Sequence, residues 1–339
     1  MRWKHRPSGS NWGEFGEDDQ IGRLNLLTPE RRLAAIREVR EGCVFPLSLP
    51  LDYPGGAGVI PFRSPPRIEA TVRATGDINY NYPYSRENPV LCDVISDDVV
   101  TIWTQYSTQW DAFSHWGQEF DADGDGVAEI VYYNGFTAKD HVLGPDREGG
   151  PCALKLGIEH AAEAAIQARG VLLDLVSLYG QESARVGYDG LMKALDRQGL
   201  TIETGDILCI YTGWADVVLG MKKNPDFNRL NAMFPVLDGS DKALLNWITQ
   251  SGVVAICADN VAVESRGHFV TDGAQTKRSM LPLHEHCLFK LGVMLGEMWH
   301  FGALAQWLRA HRRSRFLLTA PPLRLPGAVG SPVMPVATV

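Results

Sequence analysis

Three short, nearly continuous apolar runs constrain the fold of this chain more than any other feature of its sequence. They read RGVLLDLVS (169–177), GDILCIYTG (205–213) and GVVAICADN (252–260). The second and third each follow a segment with helical periodicity, YDGLMKALDRQG and SDKALLNWITQSG. Buried strands that alternate with helices are typical of an α/β or mixed sheet covered by helices, and ligands gather at the ends of such strands. The sequence therefore predicts an α/β fold with polar groups clustered at strand ends.

Capping residues predict where two of the helices begin and end. Thr28 and Pro29 are typical of a helix start, and Gly42 is the first strong stop signal after them. In the later segment, Ser240 is a suitable N-cap and Gly252 a suitable break. We therefore expect one helix from Pro29 to about Gly42 and another between Ser240 and Gly252.

Near the C-terminus, the segment LPLHEHCLFKLGVMLGE predicts a helix followed by a strand. The helix is expected from about Pro282 to Lys290, with a break at Gly292 and a short strand from Val293 to Leu295. His284 lies in the first helical turn and Glu297 lies just past the strand. Because the chain reverses at the glycine, we expect these two side chains at the same end of the sheet.

Organisation and charge limit the class of protein. We find no internal repeat and no low-complexity linker, which predicts a single domain over residues 1–339 with an N-terminal arm over about residues 1–27. The formal net charge of −8, with no basic run longer than HRRSR (311–315), argues against a nucleic-acid or membrane-surface partner. The N-terminus has no apolar targeting core, and no apolar run approaches the roughly 20 residues that span a bilayer. We therefore expect a cytoplasmic protein.

The stretch STQWDAFSHWG (107–117) places Asp111 and His115 four positions apart among aromatic residues. In a helix or a strand this spacing puts both side chains on one face. A carboxylate in an apolar setting needs a cation or several donors to replace water. Taken alone, the pair fits a buried aspartate at a turn with a hydrogen-bonded histidine nearby, and it also fits part of a metal site.

Two later residues, His284 and Glu297, favour the metal interpretation. Together with Asp111 they form a set of oxygen and nitrogen ligands that suits Zn²⁺ or Mn²⁺. Three protein ligands that leave positions open are typical of a catalytic metal rather than a structural one. His286 and His300 compete for the same roles on sequence alone.

A second acidic motif begins with DADGDG at residue 121. Asp121, Asp123 and Asp125 match the start of a calcium-binding loop and Glu129 lies within reach, but Tyr132 occupies the twelfth place, where a full EF-hand has glutamate. The motif is therefore not an EF-hand. Two interpretations stay open, a calcium site and a solvated acidic turn.

The segment QYSTQWDAFSH (105–115) resembles the cyclase family of metal-dependent hydrolases, whose members include kynurenine formamidase and isatin hydrolase. The family pattern is His, any residue, Gly, Thr, His, any residue, Asp, any residue, Pro, any residue, His. Thr108, Asp111 and His115 match it, whereas the two early histidines fall on Gln105 and Gln109. The chain is thus similar to the branch that has STQWD in place of the HxGTHxD motif.

The resemblance extends over essentially the whole chain. The N-terminal WGEFGEDDQIGRLNLLTPERRLAA, the late LHEHCLFKLGVMLGE and the closing SRFLLTAPPLRLPGAVGSPVMPVA are all similar to segments of that branch. It implies an α/β domain of the swivelling β/β/α type, in which a mixed sheet closes toward a barrel with helices outside. It also implies a homo-oligomer, either a dimer or a tetramer.

The resemblance assigns roles within the site. One divalent transition metal, zinc or manganese, would be held by Asp111, His284 and Glu297, with Gln109 as a further ligand directly or through water. Because amide oxygens are poor ligands beside imidazole, we expect one metal rather than two. His115 matches the proton donor and acceptor of the family. The remaining candidates would contact substrate or, as ordinary aromatic residues do, fill the core: Gln105, Trp110, Phe113 and Trp116.

The function implied by the resemblance is a metal-dependent hydrolase acting on a small cyclic or aromatic amide, lactam, lactone or formamide. A non-catalytic small-molecule binding protein on the same fold is the alternative from another class, since the two early histidines are replaced. A dehydratase or isomerase using the same residues is a third hypothesis.

Overall fold

The computed structural model describes residues 2–57, 60–265 and 278–339, and within these ranges the chain is a mixed α/β structure. The strands are β1 (Val44–Pro46), β2 (Arg67–Ala70), β3 (Tyr82–Pro83), β4 (Val94–Ile95), β5 (Asp98–Thr101), β6 (Gln109–Asp111), β7 (Gln118–Phe120), β8 (Glu129–Val131), β9 (Val142–Leu143), β10 (Cys152–Ala153), β11 (Gln167–Asp174), β12 (Ala184–Val186), β13 (Ile207–Tyr211), β14 (Pro235–Leu237), β15 (Ala255–Ala258), β16 (Met294–Glu297), β17 (Arg315–Thr319), β18 (Gly330–Pro332) and β19 (Val336–Thr338). The α-helices are α1 (Pro29–Ile36), α2 (Ile158–Glu163), α3 (Val176–Tyr179), α4 (Tyr188–Gln198), α5 (Trp214–Gly220), α6 (Phe227–Ala232), α7 (Lys242–Ser251), α8 (Pro282–His284) and α9 (Gly302–Ala310). Short 3₁₀ helices cover Gly22–Leu26, Tyr84–Arg86 and Tyr133–Gly135, and a π-helix covers Glu285–Leu291.

A nine-stranded sheet organises the described residues, in the order β1-β19-β17-β11-β13-β15-β16-β6-β18. The three apolar runs of the sequence form β11, β13 and β15, which pair in parallel, and β15 pairs in parallel with β16. All four residues of β15 and of β16 are buried, as expected for central parallel strands covered on both faces. The predicted α/β fold class is therefore confirmed.

Antiparallel strands extend this parallel centre on both sides and curl the sheet into a half-barrel with helices outside. On one side β6 pairs with both β16 and β18. This position matters for function because β6 carries the residues Gln109 to Asp111. The mixed sheet that closes toward a barrel with helices outside, as the sequence resemblance implies, is therefore the one observed.

The first helix starts as predicted but ends earlier. Thr28 is the N-cap of α1, and its side chain accepts a hydrogen bond from the Arg31 backbone N–H. The helix stops at Ile36 rather than near Gly42. Leu33 and Ile36 are 55 % and 49 % exposed, so apolar burial at this end of the helix gives little support to further turns.

The cap predicted for α7 is shifted by one residue. Asp241, not Ser240, is the N-cap, because its carboxylate accepts hydrogen bonds from the backbone N–H of Ala243 and from that of Tyr188. One carboxylate therefore serves the first turns of two helices. The break at Gly252 is confirmed, with the glycine at φ 70°.

The C-terminal segment follows the predicted order with different boundaries. An α-helical turn at Pro282–His284 continues into the π-helix Glu285–Leu291, and Gly292 ends it at φ 58°. The strand then spans Met294–Glu297, so that Glu297 is its last residue rather than lying beyond it. A π-helix turn is wider than an α-helical one and often occurs at functional sites.

The N-terminal arm packs along this C-terminal segment. The Trp12 indole Nε1 donates to the Phe289 carbonyl, and the Arg23 guanidinium donates to the carbonyls of Ile248 and Thr249 at the end of α7. The arm therefore joins α7 and the π-helix. No helix within the described ranges is long and apolar enough to cross a membrane.

Candidate metal centre

Three of the predicted site residues lie on one face of the sheet because of strand register. Glu297 in β16 is opposite Gln109 in β6, and Leu295 is opposite Asp111. Side chains of directly paired residues, and of residues two apart, point to the same face. The register therefore brings Gln109, Asp111 and Glu297 together in the buried interior.

His284 reaches this face from the single turn of α8. Its Nε2 lies 3.2 Å from Oε1 of Glu297 and 3.9 Å from Oδ2 of Asp111. Ligand atoms of Asp111, His284 and Glu297 all lie within 4.8 Å of one another, and all three residues are buried. The structure thus brings together the three residues that the sequence predicted as metal ligands.

A residue that the sequence analysis missed, Glu264, holds His284 in place. Its Oε1 accepts from the His284 backbone N–H at 2.8 Å and from the ring Nδ1 at 2.9 Å, and its Oε2 accepts from the Leu283 backbone N–H at 2.9 Å. A carboxylate on Nδ1 fixes the histidine tautomer and leaves the Nε2 lone pair directed at the centre. Its only sequence signal is that it follows the apolar run GVVAICADN, at whose end polar groups are expected.

The turn that immediately precedes Glu264 has strained backbone angles. Ala262 and Val263 both have positive φ, 64° and 58°. For a β-branched residue such as Val263 this conformation is a true outlier, and such strain persists only where the surroundings enforce it. Gly239 packs directly against this turn, since a Cβ there would lie 2.0 Å from Oε2 of Glu264.

The electrostatics favour a positive charge at the centre of the group. Burial raises the pKa of Asp111. Burial alone would lower the pKa of His284, but its hydrogen bonds to Glu264 and Glu297 and their charges raise it to about 10. Burial also opposes ionisation of Glu297, yet the hydrogen bond and charge of His284 bring its pKa below the ordinary value. A proton or a metal ion on Nε2 of His284 supplies this positive charge.

The donor set fits a metal ion better than a proton alone. Oδ2 of Asp111 and Oε1 of Gln109 are buried oxygens with no hydrogen-bond partner in residues 2–57, 60–265 and 278–339. A buried acceptor without a partner is costly and calls for an explanation. Tetrahedral ligation at about 2.0 to 2.2 Å separates ligand atoms by roughly 3.3 Å, close to the 3.2 and 3.9 Å measured from His284. The residues present therefore fit a bound divalent metal.

His115 lies at the edge of this group. Its Nε2 is 3.8 Å from Oδ1 of Asp111, too far for a hydrogen bond. Its side chain is 20 % exposed, whereas those of His284 and Glu297 are 2 % and 5 % exposed. Of these side chains, His115 is therefore the one that solvent reaches. Its Nε2 lies near the centre and makes no hydrogen bond to a proposed ligand.

The four predicted substrate contacts divide into two groups. Trp110 is fully buried on the opposite face of β6, where its Nε1 donates to the Ala320 carbonyl, and Phe113 packs against Tyr133 at 5.1 Å. Strand parity turns Trp110 away from the site, which favours the core interpretation for that residue, whereas a substrate contact by Phe113 stays a prediction. Trp116, in contrast, lies 5.2 Å from the His284 ring.

Two further polar residues, Asn260 and Arg63, lie near the proposed ligands in the chain or through hydrogen bonds; Asn260 ends one of the apolar runs, where the sequence predicted polar groups, and its carbonyl accepts from the Met298 backbone N–H. Among the described residues, both polar atoms of the Asn260 side chain are buried without a partner, as is Nε2 of Gln105, a predicted substrate contact. Arg63 donates to the Gln105 carbonyl at 2.8 Å, and its charge contributes, after burial and the histidines, to the pKa of both Asp111 and Glu297. No local pattern marks Arg63, whose position depends on the tertiary fold.

The two competing histidines have other partners. His286 makes a 2.9 Å hydrogen bond with the Thr249 hydroxyl, and burial lowers its pKa to about 4. His300 makes a 2.9 Å contact with Asp216. Neither belongs to the group around Asp111, which settles the choice of histidine that the sequence left open.

The acidic loop forms a second, separate group. Ligand atoms of Asp121, Asp123 and Glu129 lie within 4.8 Å of one another. Asp125 is not part of this group, because its carboxylate accepts instead from the Val127 backbone N–H at 2.8 Å. Oδ1 of Asp121 also accepts two backbone N–H bonds within the loop. The turn is therefore closed by its own backbone.

Comparison with known proteins gives a family and a fold. The model of the Cyclase family, described as "Putative cyclase", matches residues 47–265. A crystal structure described as a novel cyclase is 31 % identical, covers 97 % of both chains and superposes with a TM-score of 0.75.

Isatin hydrolase A from Ralstonia solanacearum is 18 % identical, with coverage of 91 % and 97 % and a TM-score of 0.53. The protein of the same name from Labrenzia aggregata, bound to benzyl benzoate, is 14 % identical, with coverage of 91 % and 98 % and a TM-score of 0.53. These two share the fold. No curated protein matches the sequence.

Proposed function

The chain belongs to the cyclase family, and from this premise we propose that it is a metal-dependent hydrolase of a small cyclic or aromatic amide, lactam, lactone or formamide. The observation that carries the proposal is the buried group of Asp111, His284 and Glu297, whose unpartnered oxygen lies beside a free imidazole. A binding protein that had lost its chemistry would have no need to maintain unpartnered polar atoms at this cost.

In the proposed enzyme Asp111, His284 and Glu297 would hold one zinc or manganese ion, and Gln109 could add an amide oxygen. Such an ion polarises a carbonyl oxygen and makes water more acidic when bound. Glu264 keeps the proton of His284 on Nδ1, so that Nε2 remains a ligand. The two carboxylates balance the charge of the ion, which leaves the centre near neutral.

His115 performs the proton transfers. Its free imidazole accepts a proton from the attacking water as the new carbon–oxygen bond forms. It then returns this proton to the leaving nitrogen or oxygen as the scissile bond breaks. The products are a carboxylic acid and an amine or alcohol, which in a cyclic substrate remain in one molecule. The partial exposure of His115 lets it recover its protonation state from solvent.

The surroundings support a small, flat substrate. Trp116 presents an aromatic ring beside His284, and Nε2 of Gln105 offers a buried donor that has no partner among the residues that the structure describes. An aromatic or cyclic amide supplies both a ring to stack and an acceptor oxygen to bind. These contacts make aryl amides and lactams the first substrates to test.

Metal content and hydrolysis, measured on the same samples, test the proposal. We expect about one zinc or manganese per chain, lost in Asp111→Asn and Glu297→Gln, and turnover of at least one member of a panel of formamides, lactams, lactones and isatin-like amides. His300→Ala is the matched control, because its imidazole is 21 % exposed and also lies beside an aspartate. A protein with no metal that binds panel members unchanged would be the binding protein of the alternative hypothesis. Metal-dependent loss or shift of a double bond without hydrolysis would make it a dehydratase or isomerase.

The calcium site at Asp121, Asp123 and Glu129 and the cytoplasmic location stay predictions, and the first is tested below.

A further inference from the structure

The Arg63 guanidinium, beside the candidate metal centre, uses little of its hydrogen-bonding capacity. Its Nη1 donates to the Gln105 carbonyl at 2.8 Å. A guanidinium presents a planar fork of N–H donors and is always charged. In the part of the chain that the structure describes, no carboxylate lies within ion-pair distance of Arg63, and its side chain is only partly buried. The remaining donors are therefore available to a ligand.

Other partly buried arginines of this chain have an acidic partner. Arg73 makes a 2.5 Å contact with Glu87. Arg169 donates to both oxygens of Asp206, at 2.9 and 3.0 Å. Such pairing replaces the water that burial removes from a guanidinium. Arg63 differs from these residues because its one measured bond is to a neutral carbonyl.

The charge of Arg63 acts on the proposed ligands without pairing with them. Burial is the largest influence on the pKa of Asp111 and on that of Glu297, and the positive charge of Arg63 favours the ionised form of both. Glu264, the third carboxylate of the site, already accepts three N–H groups. The donors of Arg63 are therefore left for a group that enters the site.

The side chain of Gln105, whose carbonyl anchors Arg63, adds a second unused donor. Gly330 in β18 is paired with Asp111 in β6, so a side chain at position 330 would point to the face that carries the proposed ligands. A Cβ there would lie 2.4 Å from Nε2 of Gln105, which locates this atom on that face. Among the described residues Nε2 has no hydrogen-bond partner, whereas Oε1 accepts from the Thr104 hydroxyl at 2.8 Å. An acceptor that enters beside Asp111 therefore meets a buried donor.

We propose that Arg63 and Nε2 of Gln105 bind a carboxylate of the substrate, so that the hydrolase acts on a molecule that carries an acid group besides its scissile bond. This inference rests on the proposed function and narrows its substrate class. The guanidinium fork matches the two oxygens of a carboxylate, and charge-assisted hydrogen bonds are stronger than neutral ones. Held in this way, the acid group orients the scissile carbonyl toward the metal centre and His115.

Other roles for Arg63 fit less well. An anchoring role alone uses one donor on the Gln105 carbonyl and requires no charge. A neutral substrate would cover the guanidinium without giving it an anionic acceptor, which is costly. A phosphate dianion would bring two negative charges to one guanidinium, close to the carboxylates of Asp111 and Glu297. A carboxylate supplies a single charge and two acceptor oxygens.

Ligand pairs that differ in one charge test the proposal on the full-length protein as purified. The ortho, meta and para carbamoylbenzoates each carry an aromatic amide and a carboxylate, and in the matching benzenedicarboxamides a second neutral amide replaces the carboxylate. Isothermal titration calorimetry gives the dissociation constant of each ligand for wild type, Arg63→Gln and Arg67→Gln. Arg67 is the matched control, because it is an exposed arginine of the same segment whose guanidinium lies 5.7 Å from the Trp103 ring centre.

We expect wild type and Arg67→Gln to bind at least one carbamoylbenzoate about tenfold more tightly than its dicarboxamide. Arg63→Gln should lose about tenfold of this preference. A preference that comes from a bound metal ion is the same in all three proteins, so it does not mimic this result.

The proposal is overturned if no carbamoylbenzoate binds wild type at millimolar concentration, if wild type does not prefer the carboxylate, if Arg63→Gln keeps the full preference, or if Arg67→Gln loses as much. Circular dichroism checks that each variant is folded. If Arg63→Gln is not, Gln105→Leu removes the second donor and the same criteria apply. Metal content and turnover are measured separately, so a protein with the Arg63-dependent preference but without metal or hydrolysis would refute the proposed function alone.

Discussion

Replacing Glu264 by glutamine perturbs the candidate metal centre without replacing a proposed ligand. Glu264 accepts three N–H groups on its two oxygens, from the Leu283 backbone and from the backbone and ring of His284. A glutamine of the same shape has one acceptor oxygen and one NH₂ group. Whichever way the amide is turned, its NH₂ faces at least one buried N–H group, which loses its acceptor.

Two effects of known size follow from this change. Leaving a buried donor unpaired costs about 1 to 3 kcal/mol of unfolding free energy. Removing the carboxylate from Nδ1 of His284 makes Nε2 a weaker and less well oriented ligand, and loss of such a partner weakens metal binding by about 10- to 100-fold, or about 1.4 to 2.8 kcal/mol. We therefore expect Glu264→Gln to raise the dissociation constant for zinc by that factor while His284 stays in place.

The assay is competition with a chromogenic chelator, which gives the zinc dissociation constant without reference to activity. Asp206→Asn is the matched control. Its carboxylate is also buried and accepts from the Arg169 side chain and the Glu203 backbone, but it precedes β13 at the far end of the parallel strands. The control should lose stability and keep its zinc affinity. Unchanged zinc affinity in Glu264→Gln would refute the role we assign to this residue.

Three further predictions concern single residues. His115→Ala should lower turnover by about 10²- to 10⁴-fold and leave metal content unchanged; loss of metal would instead make His115 a ligand. Burial raises the pKa of Asp259 to about 7, so the folded state holds a proton that the unfolded chain has released. The contribution of this proton to the free energy of unfolding is complete below about pH 4 and falls by about 1.4 kcal/mol per pH unit as the pH rises to 7. Equal pH dependence of urea unfolding in wild type and Asp259→Asn would count against this assignment. Added Ca²⁺ at millimolar concentration should raise the melting temperature, and Asp123→Ala should remove that response but not activity; no shift in wild type would mean that the loop is a solvated turn.

The sequence predicted those features that depend on local pattern. The apolar runs predicted β11, β13 and β15, because central parallel strands are buried on both faces and leave an unambiguous signal. The residue types of Asp111, His284 and Glu297 suggested a metal site, and the family resemblance assigned the ligand roles to these three residues, which the structure brings together. The metal itself and the role of His115 stay predictions.

Features that depend on tertiary contacts could not be predicted. Glu264 acts through a strained turn, and neither its sequence neighbours nor its spacing indicates that it meets His284. Trp110 was assigned to the pocket because its position within β6, and hence the face it occupies, was unknown. The cap of α7 was misplaced because Asp241 also bonds the start of α4, a contact between helices distant in sequence.

An anomalous-scattering map from crystals of the protein grown with zinc tests the central claim most directly. We predict one strong peak at about 2.0 to 2.2 Å from a carboxylate oxygen of Asp111, from Nε2 of His284 and from a carboxylate oxygen of Glu297. His115 should lie near that peak without ligating it. A map with no peak there, or with the zinc bound by His286, His300 or the acidic loop instead, would contradict the account.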